Sequence, residues 1–206
     1  PYKETFNTPS SLMSFTIEDT NGDNNTWFYE AGSVTYAYAE ASMLDGDDWL
    51  ISPPFLLDTE HVYELSFKAA SGDGYADIIS AWLGTRPQSG AMTQNVLPET
   101  EVNKASATTL TAMFHPEADG RACIGLHATS TYETGYFLTI DDLQLRELAS
   151  VHAPAAATDV QVTAAAAGAL GATITCTLPL TDISGAPLDA LTQVVVKRGT
   201  QTIATL

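Results

Sequence analysis

Apolar side chains recur at every second position along much of this chain, and convincing helical periodicity does not occur. Across 61–69, Tyr63, Leu65, Phe67 and Ala69 fall on one face, with Glu64, Ser66 and Lys68 on the other. A two-residue period is that of an extended strand with one face on a core and one toward water. The habit repeats over 109–114, with Leu110, Ala112 and Phe114 inward, and over 121–127, with Ala122, Ile124 and Leu126 inward. Turn clusters such as Ser71-Gly72-Asp73-Gly74 and Pro116-Glu117-Ala118-Asp119-Gly120 separate these runs. Many short strands with such punctuation predict an all-β antiparallel sandwich.

Composition bounds what such a sandwich can do. Hydrophobic residues make up 45% of the 206 positions and charged ones only 16%, which describes a globular chain with a real core. Eight Lys and Arg against 25 Asp and Glu give a net charge of −17. That field repels nucleic acid and anionic lipid, and is compatible with cation binding. No run approaches the ~20 apolar residues of a membrane span. No signal peptide is present, and the start at Pro1-Tyr2-Lys3 reads as a processed or trimmed end. Cys123 and Cys176 sit inside apolar alternation and are expected as small buried hydrophobes rather than a disulfide.

Composition shifts after Leu148, so the chain is expected as a first domain over 1–148, a linker over 149–154 and a second domain over 155–206. Pro154 in the linker blocks ladder pairing. Beyond it, 159–163, 172–178, 192–198 and 202–206 read as strands. The alanine run 164–167 is too short for a helix and is ended by Gly168. The second segment holds about half of a typical ~100-residue sandwich module and reads as continuing beyond Leu206.

The stretch Asp19-Thr20-Asn21-Gly22-Asp23-Asn24-Asn25 presents side-chain oxygens at alternate positions with a glycine to turn the backbone. Calcium takes six to eight such oxygens, although Asp, Asn and Gly also build ordinary solvated turns. Alternation adds a second argument. Glu4 shares a face with Tyr2 and Phe6, and Asp141 with Leu143 and Leu145, so two carboxylates point inward if those faces are core. A buried carboxylate must be neutralised, paired or metal-bound, and no basic residue lies near either in sequence as a fixed partner. First and last strands often pair, which would bring Glu4 and Asp141 beside the Asp19–Asp23 loop. Glu4, Asp19, Asn21, Asp23 and Asp141 are therefore the expected ligands of a structural calcium, with Asp142 the alternative to Asp141. Asp45-Gly46-Asp47-Asp48-Trp49 is either a second ion site or a plain loop.

These motifs, in this order, are similar to a known family. Glu4-Thr5-Phe6, then Phe15 through Asp23 with Trp27 downstream, resembles the opening of cleaved-adhesin domains. Those are the haemagglutinin/adhesin modules of gingipain-type proteases and the related choice-of-anchor J proteins. Asp47-Asp48-Trp49-Leu50-Ile51-Ser52-Pro53-Pro54-Phe55 resembles their second motif, with Asp48 where an Asn is usual. Tyr63-Glu64-Leu65-Ser66-Phe67 and Tyr136-Phe137-Leu138-Thr139-Ile140-Asp141 resemble later strands. The resemblance spans residues 4–146 and implies a jelly-roll β-sandwich with structural calcium, secreted or at the cell surface, in an adhesive role. Residues 155–206 resemble fibronectin type III repeats, implying a partial immunoglobulin-like β-sandwich after the jelly roll.

Catalysis finds no support in the sequence. There is no Gly-x-Ser-x-Gly elbow, His-Glu-x-x-His, P-loop or dinucleotide glycine pattern, and His61, His115, His127 and His152 are scattered. A non-catalytic binding module for an extracellular protein is the leading expectation. A carbohydrate-binding module or a passive spacer are the alternatives. Trp27, Phe28, Tyr29, Tyr36 and Tyr38 crowd one region, and Tyr75, Trp82, Tyr132 and Tyr136 lie elsewhere. Most are expected to pack, Trp27 and Trp49 in particular. An exposed row of two or more would favour sugar.

Overall fold

A computed structural model of the chain describes residues 2–37, 43–150, 152–165, 171–188, 191 and 193–206. Tyr38, part of the linker at Val151, part of the alanine run 164–167 and Thr192 of the third expected strand lie outside them. The chain divides into two compact units, Pro1–Ala149 and Ser150–Leu206.

The first unit is a sandwich of two six-stranded sheets. One holds, in spatial order, β10 (Thr108–Phe114), β7 (His61–Ala70), β12 (Phe137–Ser150), β4 (Ser33–Ala37) and β3 (Trp27–Glu30), with β1 (Tyr2–Glu4) also on β12. The other holds β2 (Thr16–Asp19), β5 (Asp48–Ile51), β11 (Gly120–Ala128), β8 (Asp77–Gly84) and β9 (Met92–Val102), with β6 (Phe55–Leu57) also on β11. The recorded pairings are antiparallel and mostly join strands distant in sequence, as a jelly roll requires. The expected faces are found: Tyr63, Leu65, Phe67 and Ala69 are buried, as are Ala122, Ile124 and Leu126 across the core.

The outer face of the second sheet carries its own small cluster of Trp49, Ile51, Met92 and Cys123, with Trp82 packed against it. The Trp49 ring stacks on His127 at 4.0 Å and meets Trp82 edge-on at 6.3 Å. Gly125 sits beneath, where a Cβ would lie 2.9 Å from Met92 Sδ and 3.0 Å from Trp49 Cε3. The 3₁₀ turn Ser89–Ala91 reaches across this face, and the Ser89 N–H donates to Glu18 Oε2 at 2.9 Å.

The second unit has two antiparallel hairpins, β13 (Thr158–Ala164) with β14 (Ala172–Thr177), and β15 (Val195–Arg198) with β16 (Gln201–Thr205). Their residues are almost all exposed. Cys176 is therefore exposed rather than buried, because alternation buries a side chain only where a second layer covers the face; Cys123 is buried as expected. The segment read as a linker is itself backbone-paired. Pro154 bridges Asp182, the Ala155 N–H donates to Thr181 O, and the Ile183 N–H donates to Ala153 O. Pro154 lacks a donor, so its neighbours make the bonds.

Candidate functional site

Strand direction gathers five connections at one end of the sandwich. β2 ends and β5 begins at the pair Asp19↔Asp48, and β5 begins where β11 ends, at Asp48↔Ala128. β8 begins where β9 ends, at Asp77↔Val102, and β12 begins where β4 ends, at Phe137↔Ala37. Loops 20–26, 71–76, 103–107 and 129–136, with residues 43–47 before β5, therefore form one rim.

Two buried carboxylates organise it. Asp77 is fully buried and accepts from Ser71 Oγ at 2.7 Å, Ser130 Oγ at 2.8 Å and the Tyr136 N–H at 3.3 Å. Burial pushes its carboxyl above the usual range, and these three donors pull it back. Gly135 is required here: a Cβ would lie 2.6 Å from Ser130 Cβ and 2.9 Å from Asp77 Oδ1. Gly135→Ala is expected to lower stability to urea by about 1–3 kcal/mol. A loss below about 0.5 kcal/mol would show that this contact relaxes freely.

Asp48 is also fully buried, but differently supported. Its Oδ2 accepts a long bond from the Asp47 N–H, 3.3 Å; its Oδ1 has no hydrogen bond of good geometry among the described residues, although the hydroxyls of Thr26 and Tyr36 lie near the carboxylate. Burial pushes its pKa up to about 6; the hydroxyls of Thr26 and Tyr36 and the Asp47 N–H ease the charge, and Asp19 opposite adds repulsion. Thr26 Oγ1 and Asp23 Oδ2 are likewise buried without a hydrogen bond of good geometry among the described residues.

The Asp19 loop is folded around its own carboxylates. Asp19 Oδ1 accepts from the N–H groups of Gly22 at 2.7 Å and Asp23 at 3.2 Å, and Oδ2 from that of Asn24 at 2.8 Å. Asn21 Oδ1 accepts from the Asp23 N–H at 3.0 Å, while Asn21 Nδ2 donates to Asp45 O at 2.8 Å, tying two loops. Gly22 and Asn24 supply the left-handed backbone at φ 73° and 65°. Asp19, Asn21 and Asp23 thus share one hydrogen-bonded loop, as their spacing predicts.

Glu4 and Asp141 lie on strands that pair, through Glu4↔Leu143, as expected for first and last strands. No hydrogen bond among the described residues joins them to the Asp19 loop. Glu4 Oε1 accepts from the Thr5 and Phe6 N–H groups, both at 2.8 Å, and Asp141 Oδ1 from the Asp142 N–H at 2.7 Å. The two-residue period shifts along β12, so alternation from Leu143 does not decide the face of Asp141. Ile140 and Leu143 are both buried although three positions apart, with Asp142 between them at φ 50°. Basic partners do exist here: Lys68 Nζ lies 2.7 Å and Lys3 Nζ 3.3 Å from Asp142, holding its carboxyl below the usual range. Among the described residues, no three His, Cys, Asp or Glu side chains gather as a ready-made metal cluster.

Sequence reasoning passed over Asp77, although the same test finds it: Asp77 shares a face with Ile79, Ala81 and Leu83. It also missed that His61, His127 and His152 contact Asp58, Asp47 and Asp182. The three pairs share no residue. Burial holds the His127 imidazole below its usual pKa despite Asp47, so the neutral ring donates from Nε2 at 2.6 Å.

The rim also exposes aromatics. Trp27 and Trp49 are buried as expected, but Tyr75, Tyr132 and Tyr136 are exposed, and Tyr75 stacks on Tyr136 at 4.7 Å.

The chain has the fold of the cleaved adhesin domains of Lys-gingipain. The K1 domain, from Porphyromonas gingivalis, matches at a TM-score of 0.56 and 16% identity, over 72% of this chain and 98% of that one. The K2 domain of the same protease matches at 0.52 and 16%, over 70% and 98%. The CBM22-2 xylan-binding domain of Xyn10C from Paenibacillus barcinonensis matches at 0.50 and 13%, over 71% and 99%. At such identities the likeness is one of fold. No protein-family model matches the sequence, and no curated protein matches it.

Proposed function

We propose that this chain is a non-catalytic binding module of a secreted or cell-surface protein, stabilised by calcium at its loop end. The observation that carries this reading is the pair of buried carboxylate oxygens, Asp48 Oδ1 and Asp23 Oδ2, that make no hydrogen bond of good geometry among the described residues, on residues linked to Asp19 by strand pairing and by a loop hydrogen bond. A buried carboxylate without a partner is costly, and a hard cation removes that cost. Asp19, Asn21, Asp23 and Asp48 would hold the ion, with Thr26 Oγ1 and backbone carbonyls completing the oxygen set; the three carboxylates do not gather as a ready-made cluster among the described residues and would draw together on binding. Bound calcium supplies neutralising charge. The residues themselves fix loop 20–26 against the loop before β5.

Adhesion to an extracellular protein and carbohydrate binding are both consistent with the fold, whose relatives include an adhesin domain and a xylan-binding domain. The exposed stacked tyrosines favour carbohydrate. Melting with millimolar calcium and with EDTA tests the stabilising role. A ligand at a hundred times its Kd stabilises by about 2.7 kcal/mol, so the EDTA sample is expected to melt several degrees lower. Identical melts, at a calcium level that also fails to alter tryptophan emission, would contradict it.

A further inference from the structure

We propose that the cleft beside Tyr75 is a subsite for a neutral sugar ring; the proposal deepens the binding-module reading above by naming its ligand. The cleft, about 620 Å³, is lined by Gly74, Tyr75, Glu101, Asn103, Lys104 and Glu133. It is an open groove that would hold one face of a ligand and leave the other toward solvent.

Tyr75 supplies the platform. It is 41% exposed, and one face of its ring is backed by Tyr136 at an interplanar angle of 24°. Tyr136 in turn meets Phe137 edge-on at 4.4 Å, so the rings support one another. Gly72 permits this stack, since a Cβ there would lie 3.2 Å from both tyrosines. Gly74, at φ 82° with nothing within 4 Å of a Cβ, keeps the approach to the ring open. A flat aromatic face backed in this way suits the apolar C–H face of a pyranose.

The polar lining suits hydroxyls rather than charges. Glu101 and Glu133 accept, Lys104 donates, and Asn103 is oriented by its own Nδ2 donating to Glu101 Oε1 at 2.7 Å. A sugar hydroxyl both donates and accepts, and uses such a mixture fully. An anionic guest would meet the two glutamates within a protein of net charge −17; a cationic one would be repelled by Lys104 alone, which is why a cationic control belongs in the test.

The walls are fixed before any ligand arrives. The Ser71 N–H donates to Lys104 O at 2.9 Å, the Ala76 N–H donates to Thr134 O at 2.9 Å, and Asp77 ties Ser71, Ser130 and Tyr136 together. Preorganisation of this kind lowers the ordering cost of binding. The tryptophan cluster on the outer sheet face is the weaker platform, because Trp49 is only 8% exposed.

The test is calorimetric titration of the 206-residue chain, with calcium present, by cellohexaose, xylohexaose, mannohexaose and laminarihexaose. Hexa-arginine and heparin serve as charged controls. At least one neutral hexasaccharide is expected to bind. Tyr75→Ala should weaken it about tenfold or more, the cost of losing a central aromatic contact. Tyr75→Phe, which keeps the face, should stay within about threefold, and Trp82→Ala should leave binding unchanged. Failure of all four sugars on folded protein overturns the proposal, as does binding that survives Tyr75→Ala. Tyr75-dependent binding of hexa-arginine alone would make the cleft a basic-peptide site and equally overturn it. A melt insensitive to EDTA would count against calcium and leave this result standing, so the two readings fail separately.

Discussion

Asp77→Ala is expected to cost about 2–4 kcal/mol of folding stability, the cost of leaving several buried neutral donors without their acceptor. The substitution leaves the hydroxyls of Ser71 and Ser130 and the Tyr136 N–H without their shared acceptor, all in a region where Ser71 and Ser130 are buried. It also opens a cavity at the start of β8. Asp77→Asn keeps one acceptor oxygen and should lose about half as much. Because Asp77 ties loops 71–76 and 129–136 together, the alanine variant should also loosen the Tyr75–Tyr136 stack and weaken any ligand in the adjoining cleft. Urea unfolding measures the first effect. A loss below about 1 kcal/mol would mean that the three donors find water, and that Asp77 does not organise the rim.

Asp48→Asn should act in opposite directions with and without calcium. The folded pKa of Asp48 is raised from 3.8 to about 6, chiefly by burial. A raised carboxyl pKa means that the native state binds the extra proton. The contribution of Asp48 is therefore fully present below about pH 4 and lost as pH rises through about 6. Two units correspond to roughly 3 kcal/mol at neutral pH. In EDTA at pH 7, the neutral isostere should therefore be more stable than the parent, and the difference should vanish near pH 4. In calcium the order should reverse, because the variant lacks the charge that holds the ion. Urea midpoints for both proteins at pH 4 and pH 7 give all the terms. A variant less stable than the parent in EDTA at pH 7 would show that Asp48 is satisfied as a carboxylate without metal.

The strand faces were legible because one residue in two meets the core: Tyr63, Leu65, Phe67 and Ala69 needed only counting. The order of strands in the sheets was not, since pairings such as β2 with β5 join segments far apart along the chain. The jelly roll came instead from the series of motifs beginning at Glu4-Thr5-Phe6. The Asp19 loop was legible as spacing, because its hydrogen bonds run between residues two to five apart. Counting from Leu143 does not fix the face of Asp141, because the period shifts at Asp142, which is in a left-handed conformation. The lysines that hold Asp142 come from β1 and β7, which no local pattern discloses. Asp77 was legible by alternation yet hidden, since it lies three residues after the glycine-rich turn at 71–74, at the first position of β8. Cys176 was misplaced by its apolar neighbours, because the hairpin of β13 and β14 leaves both of its strands exposed.

The stabilising cation is the central claim about the loop end, and equilibrium dialysis against calcium, with metal counted per chain, measures it most directly. About one ion per chain is expected at the loop end, lost in Asp48→Asn and in Asp23→Asn and retained in Asp141→Asn. No bound calcium in the parent, or the same occupancy in all four proteins, would contradict it.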